Sequence, residues 1–407
     1  MSATNKLKIL NDPIYGFITL PSAQIFDLLE HPYFQRLRRI AQLGLTYLVY
    51  PGAYHTRFHH ALGAMHLMQK AVQTLRAKGQ TINRPEEEAL YQAILLHDIG
   101  HGPFSHALEN SLVPGLSHET ISRYFMASLN EEFSGALETA LALFEKRYPR
   151  QFLEQLISSQ LDVDRLDYLR RDCFYTGVSE GRVNTERLIS MLNVAEDELV
   201  VDSKGIYSVE KFLVARRLMY WQVYLHKTVL SAEYLLIQIL RRARRVYRPG
   251  MNCPEVLRPF LEANLPKEPR ILVGLYAQLD DHDLMAAIKS WSTANDRLLA
   301  HLCQRVLHRR LLGVRTFNSP LSGDEIRDLR KKLCRDEGWS EEEAEHLVFT
   351  EEISNNAYDP HQDRIRLLYR NGDLLDITEA ADHLNLSALS KPVIKHFLFA
   401  PKHLLPA

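Results

Sequence analysis

Four short stretches hold residue types that suit hydrolytic metal chemistry: Tyr50–Gly63 (YPGAYHTRFHHALG), Ile94–Glu109 (ILLHDIGHGPFSHALE), Leu116–Thr120 (LSHET) and Leu161–Cys173 (LDVDRLDYLRRDC). Such a site needs neutral imidazoles and carboxylates around a cation, with coordination positions left for water and substrate. One histidine of the first stretch, the pair His97–Asp98, and an aspartate of the last would supply two nitrogens and two oxygens.

The adjacent pair needs a particular setting. Neighbours on a helix point about 100° apart, so they share a metal only where it sits at a helix terminus. Gly100 and Gly102, directly after Asp98, predict that terminus. A second His–Asp pair, His282–Asp283, lies in the polar run QLDDHDL with neither glycine turn nor further histidines, and reads as surface. His101, His106 and His118 crowd a short stretch beside the first pair. Imidazoles next to a metal bind phosphate oxygens or move protons near neutral pH.

The elements that must position these groups are mostly helical. From Ser22 to about Pro249 apolar residues recur at helical spacing, as in IFDLLEHPYFQRLRRIAQL and EEALYQAILLHD. The longest expected helix runs from Val209 to Arg248, without internal Pro or Gly, and stops at Pro249–Gly250. The proline-bearing NCPEVLRPFLEANLPKEPR reads as a connection with short helical pieces, before helices resume between Asp281 and Leu311. After Gly313 the pattern changes. RIRLLYRNGDLLDI predicts a hairpin with a type I′ turn at Asn371–Gly372, between helices near Asp324–Glu337 and Ala388–Phe397. The expected organisation is therefore a helical core over residues 1–250, a helical extension over 251–312, and a small α+β region over 313–407.

Bulk properties narrow the function classes. With 49 basic and 50 acidic side chains the formal net charge is -1, so no global field draws the chain to nucleic acid or an anionic membrane. Any phosphate recognition must be local. Cys173, Cys253, Cys303 and Cys334 form no CxxC pair, which fits neither a zinc ribbon nor a disulfide scaffold. No apolar run of about 18 residues is present, and the first residues lack a signal-peptide core. The expected location is the cytoplasm.

The four stretches, taken in order, resemble the HD superfamily, and more closely its deoxynucleoside triphosphate triphosphohydrolases, over roughly Lys8 to Arg248. The resemblance implies an HD-type helical core with one divalent metal, Fe, Mn, Mg, Ni, Co or Zn, on His60, His97, Asp98 and Asp164. It places His106, His118 and Glu119 among groups that position water or protonate the leaving oxygen, and His101 at the α-phosphate. Further Mg²⁺ would accompany the triphosphate. Arg57, Arg165 and Arg216 match triphosphate contacts, Tyr168 and Asp172 lie beside the sugar, and Gln42 and Leu43 border it. The residue chemistry agrees: a triphosphate needs several local cations, and guanidinium forks suit phosphate oxygens. Tyr168 and Asp172, four apart on an expected helix, share one face.

The implied reaction releases a deoxynucleoside and inorganic triphosphate, with dGTP among the substrates. The resemblance also implies a homo-oligomer, dimer or tetramer, with a nucleotide activator at Lys8, Ile9, Gln35 and Arg38. Glu30 stands where a relative has aspartate; it suits a guanine edge or a salt bridge to Arg38 equally. Arg241, Arg242, Arg244, Arg245 and Arg248 end the longest helix, where cations suit the helix dipole; a nucleic-acid or regulatory-nucleotide contact is the sharper alternative. Two other functions compete: a phosphodiesterase acting on cyclic nucleotides or nucleic-acid ends, and a non-catalytic nucleotide-sensing oligomer. Arg165, Tyr168, Asp172 and Arg216 favour the triphosphatase, and no metal position is lost.

Overall fold

The computed structural model describes residues 8–262, 264–355, 358–359, 363–381 and 392–405. It is mostly α, with small sheets. A hairpin, β1 (Ile9–Asp12) and β2 (Gly16–Thr19), leads into α1 (Ala23–Glu30). The longer helices of the core are then α2 (Arg57–Ala77), α3 (Arg84–Leu96), α4 (His118–Glu132) and α5 (Val163–Thr176).

Local sequence sets their ends. The Thr56 N–H donates to His59 Nδ1 at 3.1 Å, so His59 caps α2 rather than facing the site. Asn83 and Glu86 exchange hydrogen bonds at 2.9 Å to open α3. Asp162 accepts from the Arg165 N–H at 2.7 Å to open α5, and Gly177, at φ +75°, closes it. Helix α2 is buried on nearly every side, which is why its apolar residues do not form one stripe.

The expected helix from Val209 to Arg248 is instead two helices. Helix α6 (Ile206–Met219) passes into a π turn at Tyr220–Tyr224, and α7 (Lys227–Val246) restarts after His226, whose Nδ1 accepts from the Thr228 N–H at 3.2 Å. No Pro or Gly marks the break, so periodicity carried straight through it. The wide turn faces Tyr220, Tyr224 and Leu225 into a cavity, and π bulges commonly sit at such places.

Beyond α7, helices α8 (Asp281–Trp291) and α9 (Arg297–Leu307) fall in the expected interval. The C-terminal part holds α10 (Gly323–Glu337) and most of the strands. Strand β9 (Val393–Ala400) lies between β5 (Gly313–Phe317) and β6 (Phe349–Asn355), antiparallel to both. The helix expected over Ala388–Phe397 is therefore corrected: 393–397 belong to this strand, whose central place supplies the pairing that local propensity did not reveal. Its first residues, 388–391, lie outside the described residues.

The expected hairpin forms between β7 (Arg366–Leu368) and β8 (Leu374–Asp376). Its turn is not type I′, because Gly372 takes φ +92° while Asn371 does not take positive φ. The Gly372 N–H bonds the Tyr369 carbonyl at 3.0 Å, which suits a type I turn followed by a left-handed glycine. β7 also runs parallel to β4 (Glu198–Asp202), itself paired with β3 (Leu192–Ala195), so the last segment completes a sheet begun in the core.

Candidate metal centre and substrate cavity

His60 lies on the first turn of α2, His97 directly follows α3, Asp98 opens the next turn, and Asp164 sits on the first turn of α5. The expected helix-end placement of His97–Asp98 is observed, but neither Gly100 nor Gly102 takes positive φ. Their role is close approach. A Cβ on Gly100 would fall 2.1 Å from the Ser122 nitrogen of α4, and one on Gly102 would fall 2.2 Å from the Tyr276 hydroxyl.

The donor atoms converge. His60 Nε2 and His97 Nε2 are 3.4 Å apart, and Asp164 Oδ1 is 3.0 Å from the first and 3.4 Å from the second. Asp98 adjoins this trio through different oxygens, Oδ1 3.4 Å from His97 Nε2 and Oδ2 3.7 Å from His60 Nε2, and it also forms a donor group with His101 and His118. With metal–ligand bonds of about 2.0–2.2 Å, the edges of a coordination polyhedron measure roughly 3.0–3.5 Å, so His60, His97 and Asp164 fit a divalent cation, with Asp98 beside them. The electrostatics agree. Burial opposes charge on His60, yet hydrogen bonds with Asp164 and Asp167 push its pKa up to about 10. Asp164 is likewise held low, against its burial, by both imidazoles. Two carboxylates side by side, Asp98 buried and Asp164 half-buried, demand positive charge.

Outer contacts fix both rings. His97 Nδ1 donates to the Ile94 carbonyl at 2.7 Å, and His60 Nδ1 donates to Asp167 Oδ2 at 2.8 Å. Asp167 in turn receives Arg171 Nε at 2.9 Å and Nη2 at 3.0 Å, while Arg171 Nη1 reaches Asp12 Oδ2 at 2.8 Å. This carboxylate–histidine arrangement selects the tautomer that leaves Nε2 free for metal. Asp12, Asp167 and Arg171 were not picked out from sequence, although Asp164, Asp167 and Arg171 lie on one face of α5, at positions i, i+3 and i+7.

Beside the quartet, His101 Nε2 is 3.4 Å from Asp98 Oδ1, and its ring stacks on His118 at 4.0 Å. Burial first, then Arg57, keeps His101 neutral by lowering its pKa well below the usual range. His118 is anchored by Glu109, whose Oε1 lies 2.5 Å from Nδ1 and accepts the backbone N–H at 2.9 Å. Glu109 closes the stretch SHALE and was overlooked. Glu119 is exposed on the first turn of α4. The side chain of His106 lies outside the described residues.

A cavity of about 460 Å³ opens against Asp164. Its walls include Gln42, Leu43, Arg57, Arg165, Tyr168 and Asp172, as expected, and also Tyr220, Tyr224 and Glu233, which were not. Arg57 is buried, paired with Asp98, and donates through Nε to Ser105 Oγ at 2.7 Å. Arg165 pairs with Asp162. Arg216 is not a wall residue; it donates to Gln160 Oε1 at 3.1 Å behind Tyr168. Gln42 Oε1 and the Nε atoms of Arg165 and Arg216 are buried without a partner among the described residues. Asp172 accepts from His55 Nε2 and the Tyr224 hydroxyl, each at 2.7 Å.

The loop after His101 is held from outside the core. Asp281 accepts the backbone N–H groups of Ala41 and Phe104, both at 2.8 Å, and Phe104 and Ser105 take φ +51° and +47°. Its neighbour His282 is exposed, in keeping with the expected surface role, while Asp283 is half-buried and accepts the Asp280 N–H at 2.9 Å in the capping box of α8. The activator candidates lie near the hairpin. Lys8 Nζ sits 4.3 Å over the Phe26 ring; Arg38 stacks over Phe58 at 3.5 Å and donates to Gln35 Oε1 at 2.8 Å; Ile9 and Glu30 are exposed. Part of the basic cluster is occupied: Arg242 bridges Asp296 and Glu342, Arg245 pairs with Glu342, and Arg244 donates to backbone carbonyls. Among the described residues no helix is long and apolar enough to cross a membrane.

Two imidazoles and two carboxylates at helix ends, beside an arginine-bearing cavity, define a metal-dependent hydrolase. Residues 57–172 match the HD domain and residues 183–248 the HD associated region. The chain belongs to the HD-domain phosphohydrolases. It is 32% identical to the uncharacterized protein YwfO of Bacillus subtilis, over 98% of this chain and 93% of that protein. It is also 32% identical to the deoxynucleoside triphosphate triphosphohydrolase SAMHD1 homolog of Dictyostelium discoideum, over 60% of this chain but only 50% of that one. The chain thus spans about half the length of that relative. A phosphohydrolase structure from Bacteroides thetaiotaomicron superposes with a TM-score of 0.92 at 46% identity, covering 97% of this chain and 100% of that one.

Proposed function

We propose that the chain hydrolyses deoxynucleoside triphosphates, dGTP among them, to deoxynucleoside and inorganic triphosphate. The observation that carries this reading is the cavity itself: one space brings Asp164 of the metal quartet together with two arginines and with Tyr168 and Asp172. A cavity of this size suits a nucleotide. A bound divalent cation would lower the pKa of a water and offset phosphate charge.

The chain's own groups do the rest. Arg57 and Arg165 offer guanidinium N–H groups to the triphosphate, Arg216 adds positive charge from outside the wall, and preorganised cations stabilise developing phosphate charge. Neutral His101 donates a hydrogen bond to the α-phosphate. His118, oriented by Glu109, delivers a proton to the 5′ oxygen as the Pα–O5′ bond breaks, with His106 and Glu119 assisting water or proton placement. Tyr168 packs against the sugar and leaves no room for a 2′-hydroxyl, while Gln42 and Leu43 border it. The same reading takes Lys8, Ile9, Glu30, Gln35 and Arg38 as a nucleotide-activator contact in a homo-oligomeric, cytoplasmic enzyme.

The test is incubation with Mn²⁺ or Mg²⁺ and each dNTP, alone and in mixtures, with product analysis. Nucleoside and triphosphate are expected. Release of monophosphate alone, or hydrolysis of cyclic dinucleotides instead, would overturn the reading in favour of a phosphodiesterase.

A further inference from the structure

Glu233 is the carboxyl in the cavity that no partner accounts for. It projects from α7 into the same space as Leu43, Gly44, Thr46, Leu225 and Leu230, and a Cβ on Gly44 would lie 3.9 Å from its Oε1. The other two carboxylates of the wall are engaged: Asp164 faces His60 and His97, and Asp172 accepts from His55 and Tyr224. No hydrogen bond or ion pair reaches Glu233 among the described residues. Glu233 is half-buried; a carboxyl drawn partly out of water with no protein partner is destabilised, and such groups persist where a ligand completes them.

Its surroundings say what part of a ligand that is. Burial alone raises the Glu233 pKa, to about 8, with no contribution from a guanidinium. Arg165, by contrast, feels Asp162 and Asp164. Glu233 therefore lies away from the cationic end, where a phosphate belongs, on a wall of leucines and one threonine. The matching ligand portion is uncharged, flat enough to lie on apolar side chains, and edged with hydrogen-bonding groups. That is a nucleobase.

We infer that Glu233 contacts the base of the nucleotide, exchanging a donor and an acceptor with its hydrogen-bonding edge. A carboxylic acid offers one O–H and one carbonyl oxygen, and its two oxygens interchange. Every base presents a neighbouring donor and acceptor, so this contact anchors the base while tolerating its identity. The inference rests on the nucleotide reading above and deepens it.

The experiment compares base-bearing dNTPs with abasic deoxyribose 5′-triphosphate in wild type, Glu233→Gln and Glu233→Leu. Glutamine keeps one donor and one acceptor, so kcat/KM on all substrates should stay within about threefold of wild type. Leucine should lower kcat/KM on the four dNTPs by about tenfold or more, through KM, yet leave abasic turnover within about threefold. An equal loss on base-bearing and abasic substrates, or no loss on either, overturns the inference. Should wild type cleave no dNTP, the reading of the reaction fails on its own. Titration with the four deoxynucleosides then decides the base contact: binding to wild type and Glu233→Gln that is lost in Glu233→Leu supports it, and any other pattern refutes it.

Discussion

Gly63 and Asp167 meet where α2 crosses α5: a Cβ on Gly63 would fall 2.0 Å from Asp167 Oδ1 and 2.2 Å from Arg171 Nη2. The absent side chain is what lets the carboxylate lie under His60, three residues earlier on α2. Gly63→Ala is expected to push the two helices apart, at a cost of about 1–3 kcal/mol in unfolding free energy. It should also weaken metal binding, because His60 loses its oriented partner. Denaturant unfolding together with metal titration checks this; an alanine variant with unchanged stability and affinity would show that the helices separate freely.

Asp167→Asn separates orientation from packing. Asparagine nearly matches aspartate in shape but removes the negative charge, and whichever amide group faces Nδ1 the pair is weaker. Metal affinity should fall roughly 10–100-fold, as for other outer-shell partners of metal-bound imidazoles. The far-ultraviolet circular dichroism should stay unchanged. Wild-type affinity in this variant would mean that Asp167 serves only to neutralise Arg171.

Much of this arrangement was legible in the sequence, and the rest fails for identifiable reasons. His97 and Asp98 stand at a helix end, as adjacency required, and Tyr168 and Asp172 share a cavity wall, as their spacing required. Asp167 and Arg171 follow Asp164 at helical spacing, but charged residues at that spacing on a helix carry no mark of a role until the His60 ring is seen to bond Asp167. Glu233 and Asp281 come from segments sixty or more residues away from the four motif stretches, so no spacing within those stretches could report them. The break at Tyr220–Tyr224 was hidden because a π turn needs neither Pro nor Gly, and the strand at Val393–Ala400 because its pairing partners are distant in sequence.

Tyr224 owes its position to that break, and its hydroxyl donates to Asp172 at 2.7 Å. Tyr224→Phe should loosen Asp172, which keeps only its His55 contact. A hydrogen bond to a charged group contributes about 1.5–3 kcal/mol, so KM for a dNTP should rise roughly tenfold or more, with kcat changed far less. Steady-state kinetics decide the point. A loss confined to kcat would place Tyr224 in proton transfer rather than in shaping the sugar site.

Glu233 gives the pH dependence of stability a testable sign. Its carboxyl is raised to about 8 in the folded protein, against roughly 4.3 in an unfolded chain. Between these values the unfolded chain has lost the proton that the folded protein still holds, so unfolding releases it and stability falls as pH rises. The contribution is full below about pH 4 and is lost by the time pH passes about 8. Glutamine at this position has no proton to release. The unfolding free energy of Glu233→Gln should therefore rise relative to wild type on going from pH 5 to pH 8, whatever the other titrating groups contribute to both curves. Urea unfolding at steps across that range measures the difference, and a difference that stays flat would mean that the Glu233 carboxyl is ionised and solvated in the folded cavity.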